Sequence, residues 1–393
     1  MARFIAGGST GVNTDSIYIT DLRFAQITGA NSTYISASYG GGAVTEFYGN
    51  FAYNSTGTNV VGGTISAIRS LSNGTPTYTV ENLSVPATTF LAWLSSGDSS
   101  SARSSILSGS DTMFGSDFND TIRGYTGNDT ILGGGGSDLL DGGYGNNVID
   151  GGAGVDTVEF RGSTDTNTTF SYGGSVYVYD SSGYDQLIGV EYIRFSNRTI
   201  ATSSVAALDP LSYLAANPDL AAAFGGSTAP VLSHYLSIGI REHRSTTFDA
   251  AGYLAANPDL AAAFGSNTVA ATQHYINAGR LERRSTSFNA MSYLAANPDL
   301  IQAFGTDKNA AALHYATTGR LEGRSTTFNA SAYLARYPDL RWMYGTSELG
   351  AATHYVTSGY REGRSAAPLT TSTSRSAQFL ASEQASASLA AAL

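Results

Sequence analysis

GGGGSDLLD (133–141), GGYGNNVID (142–150) and GGAGVDTVE (151–159) follow one another in the middle of the chain, and each is nine residues long. An acidic or amide residue recurs at every ninth position, at Asp111, Asp120, Asp129, Asp138, Asn147 and Asp156. An apolar residue follows each of them by two positions: Met113, Ile122, Ile131, Leu140, Ile149 and Val158. A short fixed period is typical of folds in which each unit stacks on its neighbours.

Each nine-residue unit is predicted to be a six-residue turn followed by a three-residue strand. Paired glycines allow the positive φ angles of a tight turn. Because side chains alternate between the two faces of a strand, the apolar middle residue points into a core between two stacked sheets. Two units then make one coil, and each Asp lies above the Asp two units away. A flexible Gly/Asp linker, the alternative interpretation, would not keep an apolar residue at every ninth position six times.

Stacked carboxylates repel one another unless a cation lies between them. Residues 109–160 contain nine acidic residues and one basic residue, Arg123. Calcium takes about six to eight oxygens from carboxylates and carbonyls, and glycine-rich turns expose carbonyls. The segment is therefore predicted to bind calcium and to unfold without it.

The predicted calcium ligands come from the side chains at every ninth position and from the turns. The side-chain candidates are Asp111, Asp120, Asp129, Asp138, Asn147 and Asp156. The turn candidates are Gly115, Asp117, Gly124, Thr126, Gly127, Gly133, Gly134, Gly135, Gly136, Gly143, Gly145, Gly152 and Gly154. The strongest expected pairs are Asp111 with Asp129, Asp120 with Asp138, and Asp138 with Asp156. Asn147 carries no charge and is expected to weaken a site shared with Asp129.

These units resemble the RTX, or hemolysin-type, calcium-binding repeat, whose pattern is G-G-x-G-x-D-x-U-x. Units 124–132 and 133–141 keep its Gly and Asp positions best, whereas Phe118 replaces a Gly. The segment DQLIGVEYIRF (185–195) is similar to the β segment that follows such repeats. The resemblance implies a parallel β-roll with a β cap, and type I secretion from a bacterium with an uncleaved C-terminal signal.

A second repeat, with a period of forty residues, occupies the C-terminal half. Its copies begin at Tyr213, Tyr253, Tyr293 and Tyr333, and each has a His 21 residues later, at His234, His274, His314 and His354. Capping residues such as Asp249 predict helices, for example over 250–256, and Asn257 with Pro258 predicts the start of the next helix. The copies are expected to form a helical array. The His residues are interpreted as packed, hydrogen-bonded side chains, with metal binding as the alternative.

The predicted fold class is multidomain α and β. The expected domains are an N-terminal β domain (1–105), a calcium β-roll with its C-terminal β cap (106–204), four helical repeats (205–365), and a tail (366–393) that carries the secretion signal. Strands are predicted over 43–53, 77–85 and 175–179, with a shorter one over 17–20. Residues 87–94 are predicted to be a helix.

Composition excludes several classes of function. The chain has no Cys, which rules out disulfides and thiolate metal sites. A net charge of −10 makes nucleic acid and anionic membranes poor partners. No apolar run has the length of a signal peptide or of a transmembrane segment, so the chain is expected to be either cytosolic or exported by a route that needs no N-terminal signal.

The predicted function is that of a secreted, non-enzymatic calcium-binding protein with a structural, adhesive or surface-assembly role. Calcium is the expected cofactor, and surface or matrix polysaccharide and self-assembly are candidate interactions. The alternative is a polysaccharide-active enzyme or glycan-binding module with its site in residues 1–105. Gly7 to Gly11 match G-x-S-x-G, but a nucleophile elbow needs a helix after the serine, and a strand is predicted there. No H-E-x-x-H motif of a metalloprotease is present.

Overall fold

The computed structural model describes residues 1–17 and 19–365. The described residues form two compact units, one of residues 1–209 with 232–244, and the other of residues 210–231 with 245–365. The predicted secretion tail, residues 366–393, lies outside the described residues. The domain boundaries expected at 105/106 and 204/205 stay predictions.

The first part of the chain builds a mainly antiparallel sheet. Its strands are β1 (Arg3–Ala6), β2 (Gln26–Ala30), β3 (Tyr34–Gly40), β4 (Ala43–Tyr53), β5 (Val60–Ser72), β6 (Thr75–Glu81) and β7 (Val85–Pro86). They lie in the order β1-β6-β5-β4-β3-β2, with β7 beside β5. The strand predicted over 43–53 is confirmed. The strand predicted over 17–20 is wrong, because a 3-10 helix occupies Ile19–Phe24 after a shorter one at Thr14–Ser16.

Two helices connect this sheet to the nine-residue repeats. They are α1 (Ala87–Ser96) and α2 (Ser99–Ile106). The helix predicted over 87–94 is confirmed as α1, whose Phe90 packs edge-on against Phe47 of β4, with ring centroids 5.2 Å apart. The Asp98 side chain caps α2 by accepting a hydrogen bond from the Ser101 N–H.

Six three-residue strands follow at nine-residue intervals. They are β8 (Thr112–Phe114), β9 (Thr121–Arg123), β10 (Thr130–Leu132), β11 (Leu139–Asp141), β12 (Val148–Asp150) and β13 (Thr157–Glu159). Strands β8, β10 and β12 pair in parallel in one sheet, and β9, β11 and β13 pair in parallel in another. The middle side chains are all fully buried: Met113, Ile122, Ile131, Leu140, Ile149 and Val158. The predicted β-roll, with two units per coil, is therefore confirmed.

The roll continues at both ends into chain that lacks the repeat. At the N-terminal end, β1 pairs in parallel with β8, so one sheet runs from the antiparallel strands into the roll. At the other end come β14 (Thr168–Tyr172), β15 (Ser175–Tyr179), β16 (Tyr184–Ile188), β17 (Tyr192–Arg194) and β18 (Thr199–Ala201). Strand β16 pairs in parallel with β12, and β17 with β13, which adds one more coil. Strands β15 and β18 pair antiparallel with β16 and β17 and cover their outer edges.

The C-terminal repeats are helical, as predicted. A short 3-10 turn at Thr202–Ser204 precedes them. The helices are α3 (Pro210–Ala216), α4 (Pro218–Phe224), α5 (Val231–His234), α6 (Ala250–Ala256), α7 (Pro258–Phe264), α8 (Thr268–His274), α9 (Ala290–Ala296), α10 (Pro298–Phe304), α11 (Lys308–His314), α12 (Ala330–Arg336), α13 (Pro338–Tyr344) and α14 (Glu348–His354). A π-helical turn closes each copy, at Tyr235–Gly239, Tyr275–Gly279, Tyr315–Gly319 and Tyr355–Gly359.

Capping in the second copy follows the prediction at one helix and departs from it at the next. Asp249 caps α6 by accepting a hydrogen bond from the Gly252 N–H. Asn257 takes the N-cap position of α7, but its side chain makes no capping bond. Instead its amide donates to the Tyr253 carbonyl at 2.7 Å and to the Ser285 carbonyl at 2.8 Å. Asn257 therefore ties the end of one helix to the segment that follows the copy.

The repeated histidines pack against the tyrosines that open their copies. The Tyr253 hydroxyl lies 2.9 Å from His274 Nδ1, and the same pair recurs between Tyr293 and His314 at 2.8 Å. The Tyr253 ring is fully buried, and burial raises the pKa of its hydroxyl to about 12. The histidines thus have the hydrogen-bonded role predicted for them. Within residues 1–17 and 19–365, no group of three or more His, Asp or Glu side chains is arranged to hold a metal ion.

Candidate calcium centre

The side chains at the ninth positions form two stacked rows. The first row holds Asp111, Asp129 and Asn147, and the second row holds Asp120, Asp138 and Asp156. In each row, the backbone N–H of one residue donates to the side-chain Oδ1 of the residue 18 positions later. The donor–acceptor distances are 2.8 Å for Asp111 to Asp129, 2.8 Å for Asp120 to Asp138, 2.9 Å for Asp129 to Asn147 and 2.8 Å for Asp138 to Asp156. Each acceptor uses one side-chain oxygen in this ladder.

Four of the remaining carboxylate oxygens have no hydrogen-bond partner in the described part of the chain. They are the buried Oδ2 atoms of Asp111, Asp129, Asp138 and Asp156. None of the four side chains is more than 3% exposed to solvent. A buried charge without a partner is costly, because the protein does not replace the water that it loses. These four atoms are therefore positions where the fold needs a cation or a proton.

Burial has the expected effect on protonation. Loss of hydration raises the pKa of Asp129 to about 7 and that of Asp138 to about 6, and the neighbouring aspartates add to both shifts. Burial also raises the pKa values of Asp111 and Asp156. A cation beside these groups would favour the ionised form and reverse the shift.

Two members of the rows differ from the other four. Asp120 Oδ2 accepts hydrogen bonds from the Ser116 N–H at 2.6 Å and the Ser116 hydroxyl at 3.0 Å. Asn147 accepts from Asp129 through Oδ1 and donates through Nδ2 to Asp185 Oδ1 at 2.9 Å. The chain itself therefore satisfies Asp120 and Asn147. The pairs left with free oxygens are Asp111 with Asp129 and Asp138 with Asp156.

In two of the turns the first glycine lies beside a free oxygen. A methyl group placed on Gly133 would lie 2.4 Å from Asp138 Oδ2 and 2.5 Å from the Gly151 carbonyl oxygen. A methyl group on Gly124 would lie 2.5 Å from Asp129 Oδ2 in the same way. Each place therefore combines a carboxylate oxygen with a backbone carbonyl oxygen, in a space that only glycine leaves open. Such hard oxygen donors are what calcium prefers.

The other predicted turn residues have more varied surroundings. The glycines with positive φ angles are Gly127, Gly134, Gly136, Gly143, Gly145, Gly152 and Gly154, as tight turns require. Gly115 lies beside Asp120 Oδ2, and Gly135 lies in a turn without close contacts. Asp117 and Thr126 are exposed, and the Thr126 carbonyl accepts a hydrogen bond from the Gly109 N–H at 2.7 Å. The structure therefore places Asp117 and Thr126 outside the buried rows.

Both rows extend beyond the residues that the repeat marks. At the N-terminal end, the Ala2 N–H donates to Asp111 Oδ1, and the Val12 N–H donates to Asp120 Oδ1. At the C-terminal end, Asp185 Oδ1 accepts from the Asn147 N–H at 2.9 Å, and Glu191 Oε2 accepts from the Asp156 N–H at 2.8 Å. Sequence reasoning missed all four. Asp185 and Glu191 lie in the recognised cap segment, which is the signal that could have found them.

Comparison with known proteins agrees with this geometry. Residues 107–140 and 132–166 match the family described as the RTX calcium-binding nonapeptide repeat, in 4 copies. The roll is an RTX repeat segment. RTX nonapeptide repeats are calcium-binding motifs, and the proteins that carry them are typically secreted. The match covers the roll and leaves the antiparallel sheet and the helical repeats unassigned.

Among solved structures, the crystal structure of the extracellular lipase LipA from Serratia marcescens is similar to part of the chain. The identity is 23% over 25% of this chain and 19% of the lipase, with a TM-score of 0.22. The similarity thus spans about a fifth of the lipase. No curated protein matches the chain.

Two further observations bear on function. Ser9 of the G-x-S-x-G match lies in a turn after β1, and the chain then runs extended through Val12 alongside the roll. The helix that a nucleophile elbow needs directly after the serine is therefore not formed at this place. Among the helices of the described ranges, none has both the length and the apolar character to cross a bilayer.

Proposed function

We propose that the protein works outside the cell, that its RTX roll folds when calcium binds, and that its role is structural or adhesive rather than catalytic. The observation that carries this proposal is the set of four buried carboxylate oxygens without partners in the roll. A fold that buries them gains stability only when positive charge or protons reach them.

The residues present fit a calcium ion at two places. Asp111 with Asp129 would hold one ion, and Asp138 with Asp156 another, together with carbonyl oxygens such as that of Gly151. When bound, calcium supplies the positive charge that offsets the buried carboxylates. The backbone N–H ladder holds one oxygen of each Asp in place, so that the second oxygen stays available.

Folding and binding are expected to be coupled because the site does not exist in the unfolded chain. Weak sites in extracellular modules have dissociation constants of roughly 10⁻⁴ to 10⁻³ M. An RTX roll with such sites would stay unfolded in the cytosol, where calcium is scarce, and fold after export. Residues 366–393 are proposed to carry the export signal.

Circular dichroism of the full chain tests the calcium step. We expect a gain of β-sheet signal between EDTA and millimolar calcium, with magnesium at the same concentration as the control ion. The Asp138→Ala variant should need more calcium than the Asp111→Ala variant, because Asp138 stands in the middle of its row. An unchanged β-sheet spectrum in EDTA would refute the proposal.

Deletion of residues 366–393 tests the export step separately. We expect the truncated protein to stay inside the producing cell and to keep its calcium-induced spectrum after purification. Normal secretion of the truncated protein would show that the signal lies elsewhere.

A further inference from the structure

A polar pocket lies at the C-terminal end of the roll, where Asp185 ends the first row. We call it the roll-end pocket. It has a volume of about 190 Å³ and lies between segments 141–144, 159–167 and 180–185. Pockets for drug-sized ligands measure about 300–1,000 Å³, so the roll-end pocket suits one small ligand or one residue of a polymer.

Several polar side chains of the pocket are only partly engaged in hydrogen bonds within the described part of the chain. Asp185 is only 4% exposed, and both of its hydrogen bonds, from the Asn147 N–H and Nδ2, go to Oδ1. Asp180 likewise accepts through Oδ1, from the Ser182 N–H and hydroxyl and from the Gly183 N–H. Asn167 Nδ2 is buried and has no hydrogen-bond partner in residues 1–17 and 19–365. The pocket therefore offers carboxylate acceptors beside an amide donor.

The charges around the pocket narrow the class of ligand. Asp141 pairs with Arg123 at 3.4 Å, and Glu159 pairs with Arg194 at 3.0 Å. Among the described residues, this leaves Asp180 and Asp185 as the acids of the pocket lining without an ion pair. An anionic ligand would meet these two carboxylates. A metal ion would face the Asn167 N–H, while Arg161, which also lines the pocket, has its guanidinium over the Tyr144 ring at 5.5 Å.

The hydroxyl groups of a ligand can bond to both the carboxylate acceptors and the amide donor of the pocket, because each hydroxyl donates and accepts a hydrogen bond. Tyr144 and Phe160 also line the pocket and add apolar surface beside the polar groups. We propose that the roll-end pocket binds one neutral or amino-sugar residue of a glycan, with Asp180, Asp185 and Asn167 as its hydrogen-bond partners. This inference rests on the proposed adhesive role and gives it a site and a ligand class.

Titration calorimetry of the full chain in millimolar calcium tests the inference, with D-glucose, D-galactose, D-glucosamine and D-glucuronate as probes. We expect at least one of the first three to bind, and D-glucuronate to bind at least tenfold more weakly because of the two carboxylates. Asp180→Asn and Asn167→Ala should each weaken the binding about tenfold. Asp165→Asn, an exposed site on the same loop outside the pocket lining, is the matched control and should leave it unchanged.

Circular dichroism of the same samples separates this inference from the proposed function. A normal calcium-induced β-sheet spectrum without binding of any of the four probes would overturn the sugar pocket and leave calcium-driven folding intact. D-glucuronate binding as tightly as the neutral sugars, or binding that ignores both pocket variants, would also overturn it. Loss of one bound calcium in Asp180→Asn without any effect of a sugar would assign the pocket to a cation instead.

Discussion

Gly133 is the residue at which the need for space beside a ligand is clearest. A methyl group there would lie 2.4 Å from Asp138 Oδ2, whereas one on Gly135, in the same turn, would have ordinary contacts starting at 3.4 Å. We expect Gly133→Ala to raise the calcium midpoint of folding by at least about tenfold, since one displaced charged ligand costs on the order of 1.4 kcal/mol or more. Gly135→Ala is the matched control. Equal midpoints for the two variants in a calcium titration would show that the space beside Gly133 is not needed for the ligand.

The raised pKa values of the aspartates in the rows predict that pH has opposite effects on the folding of the roll with and without calcium. Their ordinary pKa of about 3.9 is raised by burial to about 7 for Asp129 and about 6 for Asp138. Because the folded state holds its protons more tightly, the metal-free roll is most stable below about pH 4 and loses that stability as the pH rises through about 7. Calcium binds the ionised groups, so the calcium concentration at the folding midpoint should decrease as the pH rises from about 5 to about 8. Circular dichroism in EDTA and in calcium checks both trends, and parallel trends would contradict this account.

Asn147 places an uncharged amide where the other members of the rows have a carboxylate. Its Nδ2 donates to Asp185, so the chain satisfies this position without a cation. Asn147→Asp would place two carboxylates against each other, and we expect it to add about one bound calcium per chain and to destabilise the metal-free form. Asn146→Asp adds the same charge at an exposed neighbouring position and is the control. Equal calcium stoichiometry of the two variants by calorimetry would disprove the role given to Asn147.

At the scale of elements, the nine-residue period was enough to predict the six strands of the roll, their buried middle residues and the two rows of aspartates. It could not reveal the ends of those rows. Ala2 and Val12 take part through backbone N–H groups, which leave no signature in the side chains. Asp185 follows Asn147 by 38 residues rather than 18, because the β14–β15 hairpin interrupts the period. Free carboxylate oxygens also depend on contacts such as that of Ser116, which no spacing predicts.

The helical copies are expected to fold without calcium. Their histidines share hydrogen bonds with tyrosine hydroxyls, as at Tyr293 and His314. Because residues 232–244 belong to the first compact unit, the fragment 245–365, with three copies, is the better test of the array. We expect its helical circular dichroism to be the same in EDTA and in calcium. Loss of the helical signal on chelation would show that the copies themselves bind metal.

At the scale of the molecule, β1 makes the antiparallel sheet and the roll one continuous structure. Phe4 is fully buried in β1 and stands between Val80 of β6 and Met113 of β8. We therefore expect the roll to grow from an edge that forms without calcium, since residues 1–86 carry none of the nine-residue units. Stacked repeats gain stability from their neighbours. If β1 is already formed when β8 pairs with it, the roll should fold at a lower calcium concentration.

Phe4→Ala tests this coupling without removing any predicted ligand. Removing a fully buried phenylalanine side chain costs about 3–5 kcal/mol, and here the loss falls where the sheet meets the first coil of the roll. We expect the variant to raise the calcium midpoint for hydrogen-exchange protection of strands β8 to β13. Phe47→Ala is the matched control, because Phe47 is buried in the same sheet but packs on Phe90, away from the roll. If both variants shift the midpoint equally, or neither does, the roll folds independently of β1, and the shared sheet has no part in its response to calcium.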